Sequence, residues 1–285
     1  MSRRKIAPYI FLAPSLLVFA LFSYFPFLKT IFMSLTITNN RGQIKKFIGI
    51  ENYISIFSSK DFISTLLTTL KFIPMIFFPT LLIGLALALL AEKKQNLIPA
   101  AEVMFSLPVA VASASAAIIW LMVFNSASGA LNYILGTHIN WLTDAKWALT
   151  AVAIVTVWLQ CGFTFIFIVT GLRGVSPELY ESVKIDGGGW FTTFWNIKLP
   201  LISPTLFFVI FFNISASFQT FGQIRLLTLG GPGISTTVLV YRIYNEAFMN
   251  KRYGSAGAMS VVLFAAMLII TLIQFRFEKK GVFYG

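Results

Sequence analysis

The stretch Ser176-Pro-Glu-Leu-Tyr-Glu-Ser-Val-Lys-Ile-Asp186-Gly187-Gly188-Gly189-Trp190 runs on to Ile197-Lys198-Leu199-Pro200, and it is polar and glycine-bearing in a chain that is otherwise mostly apolar. Serine can cap an open helix end and proline is tolerated in the first helical turn, so a helix is predicted to start at Ser176. It is predicted to stop at Asp186-Gly187-Gly188-Gly189, where glycine allows the positive φ of a helix end. A second short amphipathic piece, Trp190 to Ile197, leads to a proline where an apolar run resumes. The reading is a short helix, a sharp glycine turn and a second short helix, forming a knob between two membrane spans.

Composition supplies the membrane. The 285 residues are 57% hydrophobic and 11% charged, with a mean hydropathy of +0.82, whereas a soluble domain carries about a quarter charged residues. The chain therefore reads as one integral transmembrane unit, 1–285, and not as two soluble domains. Its 30 phenylalanines suit lipid-facing and interhelical packing. Cys161 is the only cysteine and His138 the only histidine, which excludes an internal disulfide and a multi-histidine metal site; no metal site is expected. The net charge of +12 fits anionic lipid headgroups and topology signals better than nucleic acid in so apolar a chain.

About 20 apolar residues cross a bilayer core. The fold class read from the sequence is all-α, with six spans: Tyr9 to about Phe32 (bent by Pro14 and Pro26), Phe72 to Ala91, Ile98 to Phe124, Trp147 to Gly171, Leu201 to about Gly222, and Ser255 to Phe275. Between them lie three exterior loops. Thr36 to Thr69 is predicted to hold short interfacial helices such as Asn52 to Phe57. Asn125 to Asp144 comes with Trp141 and Trp147, placed like interfacial anchors. Gln223 to Gly254 contains an amphipathic segment, Val238 to Phe248. Glu92 to Asn96 is a tight polar turn, and the core transport region covers about 68–275 with the knob in a loop at 172–200. Six spans put both termini on one side. Eleven of the 22 Lys and Arg residues fall on the side of the termini and the knob and eleven on the other, but the first group is packed into roughly 50 residues against roughly 90, so the density of positive charge assigns the termini and the knob to the cytoplasm.

Several chemistries are missing. There is no Gly-Lys dipeptide, hence no phosphate loop of the Walker type. There is no Ser/His/Asp set and no cluster of titratable groups near the bilayer, so no catalytic residue is assigned and an embedded enzyme is disfavoured. Glu102 and Lys71 lie toward helix ends, and the span interiors offer almost no carboxylate to couple a proton or sodium ion. That leaves an ion-coupled secondary transporter, or a passive channel, as the alternative class. The polarity inside the membrane is uncharged. Thr156, Gln160 and Thr164 recur every four residues and share a helix face, as do Asn213, Ser217 and Thr220. Such groups either bond across helices or line a polar path for a neutral or hydroxylated solute, and both readings stand at this stage. Gln160, Thr164, Asn213, Ser217 and Thr220 are the candidate path residues.

The knob then supplies a resemblance. Glu181-Ser182-Val183-Lys-Ile-Asp186-Gly187, followed after nine residues by Ile197-Lys-Leu199-Pro200, is similar to the pattern Glu-Ala-Ala, three residues, Gly, nine residues, Ile, any residue, Leu-Pro. This is the coupling motif in permease subunits of bacterial ABC importers. Ser182 and Val183 depart from its two alanines. Gly49-Ile-Glu-Asn-Tyr53 resembles an element of the carbohydrate-uptake branch. Gly230-Gly-Pro232, Thr236-Thr237, Tyr241-Arg-Ile-Tyr244, Ala247-Phe248 and Ser255-Ala256 resemble its last exterior loop. The ending Gln274-Phe-Arg-Phe-Glu278 and Val282-Phe-Tyr284 is similar to the first permease subunit of glycerol-3-phosphate importers, and multiple-sugar permeases share much of it.

The resemblance implies a six-helix permease fold of the type I importers in a bacterial inner or plasma membrane. Its partners would be a second homologous permease subunit, two copies of a cytoplasmic ATPase subunit and an extracytoplasmic solute-binding protein. This chain would bind no cofactor, and ATP and Mg would be used by the ATPase subunits. The helix from Pro177 to Ile185 would lie in a groove of one ATPase subunit, with Glu181 making a polar or ionic contact and Gly187 permitting the turn; Ser182, Asp186, Ile197, Leu199 and Pro200 complete the coupling set. The implied solute is a sugar or a glycerol-3-phosphate-like molecule, with a neutral di- or oligosaccharide as the alternative. Arg225 and Arg242, at the third exterior loop, could attract a phosphate or contact headgroups or the binding protein.

Overall fold

A computed structural model describes residues 3–93 and 98–281. Most of the expected turn at Glu92 to Asn96, and the Val282 to Tyr284 part of the ending, lie outside the described residues. The chain is built almost wholly of helices: α1 (Arg3–Phe19), α2 (Phe25–Ser34), α3 (Glu51–Ser58), α4 (Lys60–Lys93), α5 (Ile98–Ala110), α6 (Ser113–Val123), α7 (Ala130–Leu135), α8 (Ala148–Arg173), α9 (Pro177–Ile185), α10 (Trp190–Thr193), α11 (Leu199–Leu201), α12 (Ser203–Phe218), α13 (Gly222–Leu227), α14 (Leu239–Tyr244) and α15 (Tyr253–Gly281). Two strands, β1 (Thr36–Thr38) and β2 (Ile44–Phe47), pair antiparallel between α2 and α3. Among the described residues, five stretches are long and apolar enough to cross a membrane: Phe11–Ser34, Lys60–Glu92, Ala148–Arg173, Ser203–Leu227 and Tyr253–Glu278.

The third expected span, Ile98 to Phe124, is broken. Glu102–Ala110 and Ser113–Val123 meet at 103°. Pro108 has no N–H to give to the helix, the Val111 N–H closes a tight turn on the Pro108 carbonyl at 3.2 Å, and Ala112 is extended. The apolar run is continuous in sequence, so hydropathy alone reads through the bend.

The chain packs as two units. One comprises the residues up to Ile63 with Arg242–Ala265. In it a π-helical turn, Ala20–Tyr24, joins α1 to α2. The first exterior loop holds the β1–β2 hairpin in addition to α3, where the sequence predicted only short helices. Asn39 shapes the hairpin turn, its side-chain oxygen accepting from the backbone N–H groups of Arg41 and Gln43 at 3.0 and 2.9 Å. The Gly49–Tyr53 element is structural here. Asn52 donates to the carbonyls of Ser34 and Thr36 at 2.8 and 3.0 Å, and the Tyr53 and Ser34 hydroxyls are 2.7 Å apart, so the element ties α3 to the open C-terminal end of α2.

The other unit comprises the described residues from Ser64 to Tyr241 and from Ala266 to Gly281. Its centre is α8, the span with the largest buried share. Lipid is as apolar as leucine, so burial supplies little drive between membrane helices and close packing must do so. The α8–α12 seam meets this with phenylalanines one turn apart on each helix: Phe163 stacks on Phe212 at 4.0 Å, and Phe167 meets Phe208 at 4.9 Å. A core of Ala88, Ala91, Phe165, Ile168, Val169, Leu172, Val175, Ile202 and Val209 continues below it.

One loop reading changes on folding. Trp141 is no lipid anchor: it is 5% exposed, packs edge-on against Trp147 and donates its indole N–H to Asn132 at 2.8 Å. Asn132 also donates to the carbonyls of Ser126 and Ile139 and accepts from Thr137, so one side chain folds the loop around itself. In the third exterior loop, Thr236 and Thr237 satisfy the carbonyls of Gly231 and Gly230 at 3.0 and 2.9 Å.

Candidate functional site

The knob is folded largely as its sequence dictates. Ser176 has extended backbone before α9, Pro177 occupies the first turn, and Glu178 and Lys184 lie in the first and last turns, where each complements the helix dipole. The capping itself differs from expectation. The Ser176 hydroxyl donates to the Glu178 carboxylate at 3.1 Å and caps no backbone N–H. Asp186 ends the helix and Gly187 adopts φ +77°, the left-handed conformation that glycine accepts without strain. The Gly187 and Gly188 N–H groups bond back to the Lys184 and Val183 carbonyls at 3.1 and 2.8 Å, closing a defined turn.

Glu181, Ser182, Asp186 and Gly187 all point outward and are exposed. The Ser182 hydroxyl returns to the Glu178 carbonyl at 2.9 Å, so a residue of this size fits the second motif position without disturbing the helix. Ile185 is 85% exposed beside them. Beyond the turn, α10 passes into a π-helical turn, Phe194–Lys198, then α11 and α12. The wide turn immediately precedes Pro200, whose ring would clash with the carbonyl four residues back in a regular helix. Ile197 packs against the core cluster, while Leu199 and Pro200 are half-buried.

The inner side of α9 is held by groups that the sequence reading did not select. Lys198 Nζ lies 2.5 Å from Glu92 Oε2 at the end of α4, with side chains only 11% and 19% exposed. The same ammonium lies 5.2 Å from the Tyr180 ring centroid. The Tyr180 hydroxyl is buried near Glu92 without a hydrogen bond of ordinary geometry. Burial, and then the neighbouring Glu92 charge, push the phenol well above its usual range, so it stays neutral. A second, more exposed pair, Arg173 and Glu102 at 2.8 Å, links α8 to α5.

The intramembrane polar residues divide into two kinds. Thr156 and Ser217 return their hydroxyls to carbonyls one turn back in their own helices, at 2.8 and 2.7 Å, and Thr220, two residues beyond the end of α12, reaches back to the Ala216 carbonyl at 3.5 Å. Asn213 donates across the seam to Thr164 at 2.9 Å. Thr164 also backs onto Gly84, where a Cβ would collide with its methyl group. Gln160 Oε1 and Asn213 Oδ1 are buried acceptors without a protein donor, as are Thr80 Oγ1 on α4 and Gln274 Oε1 on α15. Of the five candidate path residues, the fold therefore joins Thr164 to Asn213, turns Ser217 and Thr220 back onto carbonyls of α12, and leaves the Gln160 carbonyl buried without a partner.

Residues 6–280 match the family described as "Binding-protein-dependent transport system inner membrane component". The chain belongs to this family. Relatives named sn-glycerol-3-phosphate transport system permease protein UgpA are similar nearly end to end. That of Agrobacterium fabrum (strain C58 / ATCC 33970) is 35% identical, covering 99% of this chain and 97% of its own. That of Rhizobium meliloti (strain 1021) is 33% identical with the same coverage. In three dimensions the chain resembles, at TM-score 0.85 and 22% identity, a component of a bacterial ABC transporter involved in the import of the acidic polysaccharide alginate, covering 98% of this chain and 96% of that one.

The permease is thus a multi-pass membrane transport component of an ABC importer, with the all-α fold read from its sequence. Its structure also bears on the third exterior loop. Arg242 Nε is 3.6 Å from Glu246, a carboxylate only 2% exposed, and Arg252 grips the same carboxylate at 2.7 and 2.9 Å. Arg242 is therefore engaged within the protein, which weakens the reading that it attracts a solute phosphate. A sequence signal existed for this pair, since Arg242 and Glu246 are four residues apart on a helical stretch.

Proposed function

We propose that this permease is the pore-forming subunit that admits a sugar or a glycerol-3-phosphate-like solute to the cytoplasm, driven by ATP hydrolysed on partner subunits. The observation that carries the proposal is the exposed helix α9 on its fixed turn, with Glu181, Ser182 and Asp186 outward and Tyr180 inward. Such a helix has no chemistry of its own and is shaped to be pushed. The partners in this reading are a second homologous permease, two copies of an ATPase subunit that use ATP and Mg, and a solute-binding protein outside. The termini and α9 face the cytoplasm, in keeping with the charge density of the short loops. ATP shifts the equilibrium between inward- and outward-facing states through the ATPase dimer's different affinity for each. Relatives named as sn-glycerol-3-phosphate permeases support that solute class. The open carbonyls of Gln160 and Asn213 suit a solute rich in hydroxyl donors.

The deciding experiment is uptake of labelled glycerol-3-phosphate and of a neutral disaccharide by the complete importer in proteoliposomes. ATP-dependent accumulation of either is expected, with loss in Glu181→Ala. Wild-type uptake by Glu181→Ala, with the ATPase still bound, would remove the coupling assignment. Normal uptake by Gln160→Leu and Asn213→Leu would make those residues packing groups.

A further inference from the structure

The partly buried trio Glu92, Lys198 and Tyr180 lies at the meeting point of three elements distant in sequence: the end of α4, the π-helical turn before α11, and the middle of α9. Each residue does something different there. Tyr180 is the side chain of α9 that packs against the core cluster, among the described residues. Lys198 presents its charge to the face of that ring, and Glu92 neutralises it. A partly desolvated ion pair is costly to break, because separation leaves an unpaired charge away from water. A ring held against the cation adds a contact that depends on its position. Residues near the trio along the chain are packed as well: Ala88 and Ala91 on α4, Leu172 and Val175 before α9, and Ile202 after Lys198 belong to one cluster. By contrast, Glu181, Ser182, Lys184 and Ile185 of α9 are exposed.

We infer that Glu92, Lys198 and Tyr180 form a joint that makes α9, the end of α4 and the head of α12 move as one body, and so carries a push on α9 into the membrane. These are positioning residues: they touch neither nucleotide nor solute. The inference rests on the coupling role proposed for α9, and it goes further by naming the residues inside the permease through which the displacement leaves that helix.

The test is the number of solute molecules imported per ATP hydrolysed by the complete importer in proteoliposomes, with co-purification of the ATPase scored for every variant. Glu92→Gln and Lys198→Met are expected to lower that ratio by about tenfold, within the usual range of coupling between sites, while the ATPase remains bound and active. The charge exchange Glu92→Lys with Lys198→Glu is expected to recover most of the ratio. Tyr180→Phe, which keeps the ring, should couple normally, and Tyr180→Ala should not. A merely structural role would lower the amount of inserted protein without changing the ratio. A wild-type ratio in both single charge variants overturns the joint, as does a charge exchange no better than either single change at equal amounts in the membrane. If those single variants assemble too poorly to assay, equal ratios for Tyr180→Phe and Tyr180→Ala overturn it instead. Loss of the ratio in Glu181→Ala, with the joint variants unaffected, rejects the joint and leaves the coupling helix standing.

Discussion

Three glycines follow Asp186, and alanine at each should give a different result. Gly187 has φ +77° and no atom within 4 Å of where a Cβ would be. Alanine there meets no obstacle, so its cost is conformational, about 1–2 kcal/mol for an L-residue in the left-handed region. Asparagine tolerates that region and should cost less. Proline cannot reach it, since its ring fixes φ near −65°, and it also removes the N–H that bonds the Lys184 carbonyl at 3.1 Å, for a cost of about 3 kcal/mol or more. Gly188 has an ordinary φ, but a Cβ would run into the Val183 side chain and lie 3.0 Å from its carbonyl. Gly189, at φ −83° with nothing within 4 Å, needs neither freedom nor space. A cost of 1–2 kcal/mol shifts an equilibrium by roughly 5- to 30-fold. ATP-driven uptake, normalised to permease in the membrane, should therefore fall in the order Gly189→Ala, Gly187→Asn, Gly187→Ala, Gly187→Pro, with the first close to wild type. Equal uptake for Gly187→Pro and wild type, or equal damage from alanine at 187 and 189, would refute the view that the turn sets how α9 is presented.

Two further perturbations read the packing. Asn213→Leu and Thr164→Val each remove one end of the bond across the α8–α12 seam, and a double-mutant cycle of unfolding in mixed micelles should give a coupling of about 0.6 kcal/mol; no coupling would mean the bond is not formed in the membrane. Trp141→Phe keeps the ring and loses one hydrogen bond, worth about 1 kcal/mol. Asn132→Ala loses the bonds to Ser126, Thr137, Ile139 and Trp141 together, so proteolysis within residues 125–147 should accelerate far more for Asn132→Ala than for Trp141→Phe. Cleavage of both at the wild-type rate would contradict the hub.

Much of this protein was legible in its sequence because the decisive properties are local. Runs of apolar residues report spans, since the bilayer demands length and hydrophobicity from contiguous residues. Asp186-Gly187 reports a helix end, because φ +77° is a property of one residue. Pro177 and Pro200 restrict their own turns in the same way. The coupling motif also singled out Glu181, Ser182 and Asp186, and they are exposed.

What only the tertiary structure decided involves partners far apart along the chain. Lys198 and Glu92 are separated by 106 positions, and Asn213 and Thr164 by 49. In the sequence the first two are merely loop charges, and the last two are two polar residues on two apolar helices. Trp141 reads as a membrane anchor until Asn132 closes around its indole N–H. The 103° break after Ala110 is hidden because hydropathy measures composition and a bend is a matter of direction. The sequence by itself determined that a rigid polar helix stands between two spans. The fold decided which buried charges tie that helix to them, because an ion pair in low dielectric forms wherever packing brings its two ends together, and no local pattern records that meeting.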